Sequence, residues 1–323
     1  MRARARVSAT AAALVLALTV SLSGCLTVHG EQAVIPAVSE EEAERVLAEY
    51  TAVSNEANPA FDTALNLTIE TGPLGAINQA GLRSRGTVHP EGNEQYQDLE
   101  FTDTRFLIPQ QAGWPKFFVA DSLSSRHGTN RWLLVFTRSR VDEDWRASYL
   151  SVLPADRVPE FSEDEDGFAE AVPREADSRR TVAPGDLSAA YTAHLQDQEG
   201  PFAESSYTSG EWEKRDSANN DPAYVTEFRD LPAEEEAYAP AALRTADGGA
   251  LVFFGSHHHE RKTMAEGEPL VVDQYVEALL ESPAERTLTT VRMAMQVAHV
   301  PAAGDEGIAL LNRISGAVSA SGG

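Results

Sequence analysis

Hydrophobic positions change their period several times along this chain. Ala43, Val46, Leu47, Tyr50 and Val53 recur at three- and four-residue steps, the spacing that lines one face of a helix. Ser39-Glu40-Glu41-Glu42 precedes them as a capping box, in which the Ser39 hydroxyl accepts an amide N–H and Glu42 reaches back. Three acids in the first turn also suit the helix dipole. The helix is expected to end before Pro59. A second helical piece carries Phe61, Ala64, Leu65 and Ile69 and breaks at Gly72-Pro73, and a short third helix is expected over Leu74 to Leu82. Beyond residue 100 the pattern becomes that of strands: Phe101 to Ile108, Lys116 to Leu123, Arg131 to Arg140 and Trp145 to Leu153. Turns rich in Gly, Asn and Asp separate them, which favours antiparallel hairpins.

Residues 159–180 are dense in acids and bounded by prolines, the composition of a linker. After them the pattern restarts. Pro184-Gly185-Asp186 leads into a helix with Leu187, Ala190, Tyr191, His194 and Leu195, and residues 196–240 are polar with little period. A strand is expected at Ala250 to Gly255, an apolar segment at Leu270 to Leu280 and a long strand at Thr287 to Val300. In the tail, Ile308 to Ile314 is expected as a helix, ahead of loose Ser and Gly. Three landmarks recur between the halves at an offset of roughly 140 residues: Tyr50 and Tyr191, Phe117-Phe118 and Phe253-Phe254, Leu153-Pro154 and Val300-Pro301. A diverged duplication and two generic runs of one pattern both produce that spacing. Helices followed by strands, twice, predict an α+β fold of two tandem modules, each with N-terminal helices packed on a curved antiparallel sheet. The expected division is a signal segment (1–24), a tether (25–38), a first module (39–158), an acidic linker (159–183), a second module (184–303) and a tail (304–323).

The N-terminus is organised differently. Arg2, Arg4 and Arg6 precede an apolar run at Ala11 to Ser21, too short for a mature bilayer-spanning helix of about 20 residues. Small residues then lead into Cys25, the only cysteine in 323 residues. Leu22-Ser23-Gly24-Cys25 resembles the lipobox of bacterial lipoproteins. That resemblance implies cleavage before Cys25, diacylglycerol in thioether linkage on its sulfur, and acyl chains that hold the mature chain at a membrane. With Cys25 acylated no thiol remains, which excludes disulfides, thiolate metal sites and cysteine nucleophiles.

Composition narrows the rest. Hydrophobic residues make up 42% of the chain, enough for packed cores. The net charge is −24, and loss of the three arginines of the signal segment takes it to −27. Such a surface repels nucleic acid, and a basic-patch binding mode is excluded. Lysine occurs only at 116, 214 and 262.

The layout resembles the cone-shaped α+β class that includes ketosteroid isomerase and scytalone dehydratase. It also looks like that of uncharacterised secreted lipoproteins of actinobacteria, with Leu67 to Leu82 as the most family-like piece. The resemblance implies a fold rather than an activity. No Gly-x-Ser-x-Gly elbow, Ser-x-x-Lys pair, phosphate-binding Gly loop or dinucleotide fingerprint occurs, and no cofactor is expected. In His257-His258-His259-Glu260, strand alternation puts His257 and His259 on one face, where a third ligand would complete a metal site. The reading as a solvated strand end competes with it, because Arg261 and Lys262 follow. Glu163-Asp164-Glu165-Asp166 lacks the spacing that wraps Ca²⁺. By position alone, Tyr50, Tyr191, His194 and Asp103 are candidates to enter a cavity. The expected function is a membrane-anchored extracytoplasmic lipoprotein that binds or scaffolds a protein partner or small ligand without chemistry of its own. A cavity enzyme of isomerase or dehydratase type, or a metal-binding lipoprotein, is the alternative.

Overall fold

The computed structural model of the protein describes residues 33–175, 182–234, 236–302 and 307–323. A short strand β1 (Ile35–Pro36) precedes α1 (Glu40–Ala60), and Ala37 and Val38 between them are buried. The Ser39 hydroxyl caps α1 by accepting the Glu42 N–H at 3.2 Å. The capping box closes on that side only. Glu42 turns instead to the Trp145 indole N–H at 3.0 Å and the Arg138 guanidinium at 3.3 Å. The helix also passes Pro59, beyond its expected stop. A proline in the last turn forfeits a single N–H bond, and Phe61, at φ 53°, closes the end by donating to the Ala57 and Asn58 carbonyls. The next helix, α2 (Thr63–Ile69), starts on the Asp62 carboxylate, and α3 (Gly72–Val88) carries Pro73 in its first turn.

Four strands of the first half fall close to where alternation predicts them. They are β2 (Phe101–Leu107), β4 (Lys116–Ser124), β5 (Asn130–Arg138) and β6 (Arg146–Pro154), paired antiparallel in the order β2-β4-β5-β6. Between the first two, β3 (Gln110–Gln111) pairs with β1. Phe118 and Phe136 stack at 5.0 Å, and Tyr50 of α1 meets Phe136 edge-on at 5.7 Å, so helix and sheet share an aromatic core.

In the second half α4 (Leu187–Asp197) and α5 (Ser209–Ala218) precede a sheet ordered β11-β10-β9-β7. It comprises β7 (Tyr224–Pro232), β9 (Ala250–Met264), β10 (Thr287–Val300) and β11 (Ala309–Gly322), with β8 (Ala241–Arg244) beside β7 along the same edge of β9. A one-turn α6 (Gln274–Glu277) lies within residues 270–280. The strand expected at 250–255 continues through the histidine run to Met264. It is buried on both faces at its start: Val252 and Phe254 join Leu187, Tyr191 and Leu195, whereas Leu251 and Phe253 join the core of the first half. Two covered faces explain why Ala250 to Phe254 reads as an unbroken apolar run rather than an alternation.

The expected helix at Ile308 to Ile314 is corrected to a strand, and the Ser and Gly tail belongs to it. Small residues are needed there. A Cβ on Gly316 would stand 2.8 Å from Cγ2 of Ile77 on α3, and one on Gly322 would overlap the Ala284 backbone. The two halves meet where α3 packs against β6, β10 and β11. Tyr149 lies 6.4 Å from Phe253, and its hydroxyl donates to the Tyr238 carbonyl at 2.7 Å. The acidic stretch, expected as a linker, also bridges both halves: Ala169 pairs with Pro109, and Phe161 and Ala171 pair with Thr245 and Leu243.

Candidate functional site

Between the halves lies a cleft of about 520 Å³. One wall comes from the β3–β4 connection and the facing ends of β5 and β6, and the other from residues 236–242. Trp114 stands at its mouth, 36% exposed, and Phe117, Thr137 and Arg146, which the register places on one face of the sheet, line its side; Lys116, 4% exposed, pairs with Arg138 on the opposite face. The Lys116 ammonium donates to the Gln111 carbonyl at 3.1 Å, stands 3.5 Å from the Ile35 carbonyl, and lies 5.6 Å from the Trp114 ring centroid. Burial, with Arg138 nearby, pulls its pKa below the usual lysine value.

A second cavity of about 330 Å³ opens beside α1, with Tyr50 in its wall. Behind Tyr50 sits Glu70, 1% exposed. Its Oε1 accepts from the Tyr50 hydroxyl at 3.1 Å, and both oxygens accept from the Asn78 amide, at 3.0 and 2.8 Å. Burial pushes its pKa up to about 7 against the pull of those donors. Tyr50 itself is raised well above an ordinary phenol, first by burial and then by Glu70.

The third constellation lies under α4 and α5. His258 Nδ1 stands 2.6 Å from Asp230 Oδ1, and its Nε2 stands 2.7 Å from Ser256 Oγ. Arg215 of α5 donates to both Asp230 oxygens, at 2.7 and 2.8 Å, and Gln296 donates to Ser256 Oγ at 2.6 Å. The acceptor at Asp230 places the imidazole proton on Nδ1, leaving Nε2 to accept from Ser256. Burial holds the His258 pKa below the usual histidine value despite Asp230. Burial alone would raise Asp230, but His258 and Arg215 hold it at about 2. Asp, His and Ser joined in this order have the connectivity of a nucleophilic relay. Ser256, however, is 0% exposed, and no substrate carbonyl can reach it in this conformation. The group acts as a polar bolt joining β7, β9, β10 and α5.

The positional candidates separate accordingly. Only Tyr50 borders a cavity alongside a buried acid. Tyr191 packs edge-on against Phe254 and donates to the Tyr207 carbonyl at 2.7 Å. His194 lies between Phe202 and Trp212 with Nδ1 3.0 Å from the Glu199 carbonyl. Asp103, at φ 48° in a bulge of β2, pairs with Arg131 at 2.7 Å. His257 and His259 share a face, as alternation predicts, and His257 meets the Tyr238 ring at 5.5 Å. Among the described residues no group of three His, Cys, Asp or Glu side chains is placed to hold a metal ion. In the acidic run, Asp164 accepts the Asp166 and Phe168 N–H groups at 2.9 Å and Gln110 at 2.9 Å, which makes it a turn former. Leu22, Ser23, Gly24 and Cys25 lie outside the described residues, and no described helix is long and apolar enough to cross a membrane.

Sequence reasoning missed Lys116, Glu70 and the Asp230–His258 pair. Glu70 had a signal, as the only charged residue between Leu67 and Leu82. The cleft had none, because its walls come from five separated stretches of the chain.

Residues 34–322 match a family described as a domain of unknown function, DUF8094, in one run across both halves. The chain belongs to this family. Over 97% of its length it is 42% identical to an uncharacterized lipoprotein of Streptomyces coelicolor, covering 94% of that protein, and 40% identical to one of Streptomyces avermitilis with the same coverage. A second uncharacterized lipoprotein of Streptomyces coelicolor is 27% identical over 71% of this chain and 67% of its own. No solved structure matches the chain. As a DUF8094 member whose relatives are named lipoproteins, the chain is a lipoprotein homologue, in keeping with the resemblance at residues 22–25.

Proposed function

We propose that this DUF8094 protein is an exported lipoprotein, anchored at the outer face of the cell membrane through Cys25, that binds a small ligand in the cleft between its two modules. The cleft carries this reading. Its volume of about 520 Å³ suits a small molecule, both halves contribute walls, and a half-exposed tryptophan stands at the mouth. Two diverged copies of one module, with the site at their junction, would account for the repeated order of helices and four-stranded meander. Anchoring is tested by Cys25→Ser, which should move the protein from the membrane fraction to the soluble exported fraction. Binding is tested by extracting small molecules from protein purified out of its membranes. A compound should be present with wild type and absent with Thr137→Trp, which fills the cleft; equal recovery from a folded variant would sink the cleft reading.

Glu70 favours a second reading, a cavity enzyme of isomerase or dehydratase type. A buried carboxyl near pH 7 behind a cavity-wall tyrosine is the kind of group that moves protons. Proton exchange at activated carbon in ketone or hydroxyketone probes, lost in Glu70→Gln, would support it. Exchange at the buffer rate with wild type would dismiss it for those substrates.

A further inference from the structure

Seven large apolar side chains are exposed among the described residues, and they are not spread evenly. Leu67 stands alone on α2. Val225 and Val271 lie toward the end of the second sheet where β7 begins and β9 passes over to β10, away from the cleft. The other four, Val34, Ile35, Trp114 and Val141, gather at one end of the first sheet. Ile35 opposes Gln111 in the β1–β3 pair, and its carbonyl stands 3.5 Å from the Lys116 ammonium. The Trp114 ring centroid lies 5.6 Å from that ammonium and 5.0 Å from the Arg138 guanidinium carbon. Lys116 and Arg138 face each other at that end of β4 and β5, and Val141, 72% exposed, follows in the turn to β6. A single exposed valine calls for no explanation, but apolar neighbours around a tryptophan form a surface that water covers at a cost.

Where the chain comes from says what covers it. Val34 is the ninth residue after Cys25, so the segment from Cys25 enters the body at this same end. A tryptophan on such a surface suits the head-group layer of a bilayer, where an amphipathic ring sits partly wet and partly in hydrocarbon. The charges nearby offer no attraction for anionic lipid. Arg140 is engaged by Asp142 at 3.7 Å and Glu143 at 2.9 Å, Arg138 by Glu42 at 3.3 Å, and Asp144 is exposed. Any contact made here is apolar rather than electrostatic.

We propose that this end of the first sheet is a membrane-contact surface, with Val34, Ile35, Trp114 and Val141 seated in the head-group layer of the bilayer to which Cys25 is joined. This rests on the anchoring reading and adds how the body lies on the membrane. A short tether makes the contact intramolecular, so a small apolar surface suffices to hold it. Trp114 also stands at the mouth of the cleft, and the mouth then opens at the lipid surface.

The test couples the mature chain, residues 25–323, through its only thiol at Cys25 to maleimide lipid in phosphatidylcholine vesicles. Coupling in this way separates the contact from lipidation in the cell. Acyl chains brominated near the head group should quench the tryptophan emission of wild type and leave that of Trp114→Phe unchanged. Val141→Asp, at an exposed turn position outside the core, should lose most of that quenching. No difference between wild type and Trp114→Phe would overturn the contact and leave the anchor standing, since the anchor is read from the membrane fraction of Cys25→Ser. Quenching that grows as phosphatidylglycerol replaces phosphatidylcholine at low salt would mean a charge-driven contact and overturn the apolar one. A dimer of the uncoupled chain that Val141→Asp breaks would assign the surface to a second copy instead. Wild type found only in the soluble exported fraction would retire the anchor, and the bilayer as occupant with it.

Discussion

Glu70 and His258 are buried groups whose protonation pulls stability in opposite directions. The folded Glu70 carboxyl titrates near 7 against 4.5 unperturbed, so its stabilising contribution is fully present below about 4.5 and is lost as pH rises through about 7. A shift of that size corresponds to on the order of 3 kcal/mol. His258 is held below its ordinary value, so it favours the fold above about 6.5 and withdraws that support as pH falls. Asp230 adds a loss between about 4 and about 2. Glu70→Gln removes only the first of these. The urea midpoint of the variant relative to wild type should therefore rise from pH 5 to pH 8, by an amount equivalent to on the order of 3 kcal/mol. A difference independent of pH would mean that Glu70 titrates as it does in the unfolded chain. Tyr50→Phe, by deleting a donor to that carboxyl, should lose about 1 kcal/mol and push the Glu70 titration higher still.

At the scale of elements, the last strand shows how packing selects residues that look like a disordered tail. Gly316 lies beneath Ile77, so Gly316→Ala should cost about 1–3 kcal/mol, measured by chemical denaturation. Adding Ile77→Val should recover part of that loss; no recovery would place the strain elsewhere. The same strand shows where the sequence was legible. In β2, β4, β5 and β6 the polar breaks between apolar runs marked each strand end within a residue or two. β11 combined a helical-looking Ile308 to Ile314 with Ser, Ala and Gly, and its Gly316 answers a helix more than 200 positions earlier. α5 has no buried residue, so it had no apolar stripe to find. The buried positions of β7 are Thr226 and Asp230, polar residues that erase alternation. Where the interior is polar, hydrophobic period carries no signal.

At the scale of the molecule, a body of net charge −24 surrounds the cleft. Its long-range field opposes an approaching anion and favours an approaching cation. Salt screens that field, since the Debye length falls from about 30 Å at 0.01 M to about 8 Å at 0.15 M. For any anionic ligand of the cleft, the association rate followed by stopped-flow fluorescence should therefore rise across that range. A rate that falls instead would mean that cations around the cleft dominate the field at a distance. The net charge was legible in the sequence, but the cleft was not, because it depends on which distant segments the fold brings together.

Ile35, in the first strand of the body, also sets how far that body could stand from a lipid on Cys25. Ten residue steps separate Ile35 from Cys25, and a fully extended chain of that length spans about 35 Å. Under the anchoring proposed at Cys25, the cleft would be leashed close to the bilayer. The protein would then patrol a thin shell above the membrane, meeting molecules that cross or leave that membrane before they disperse.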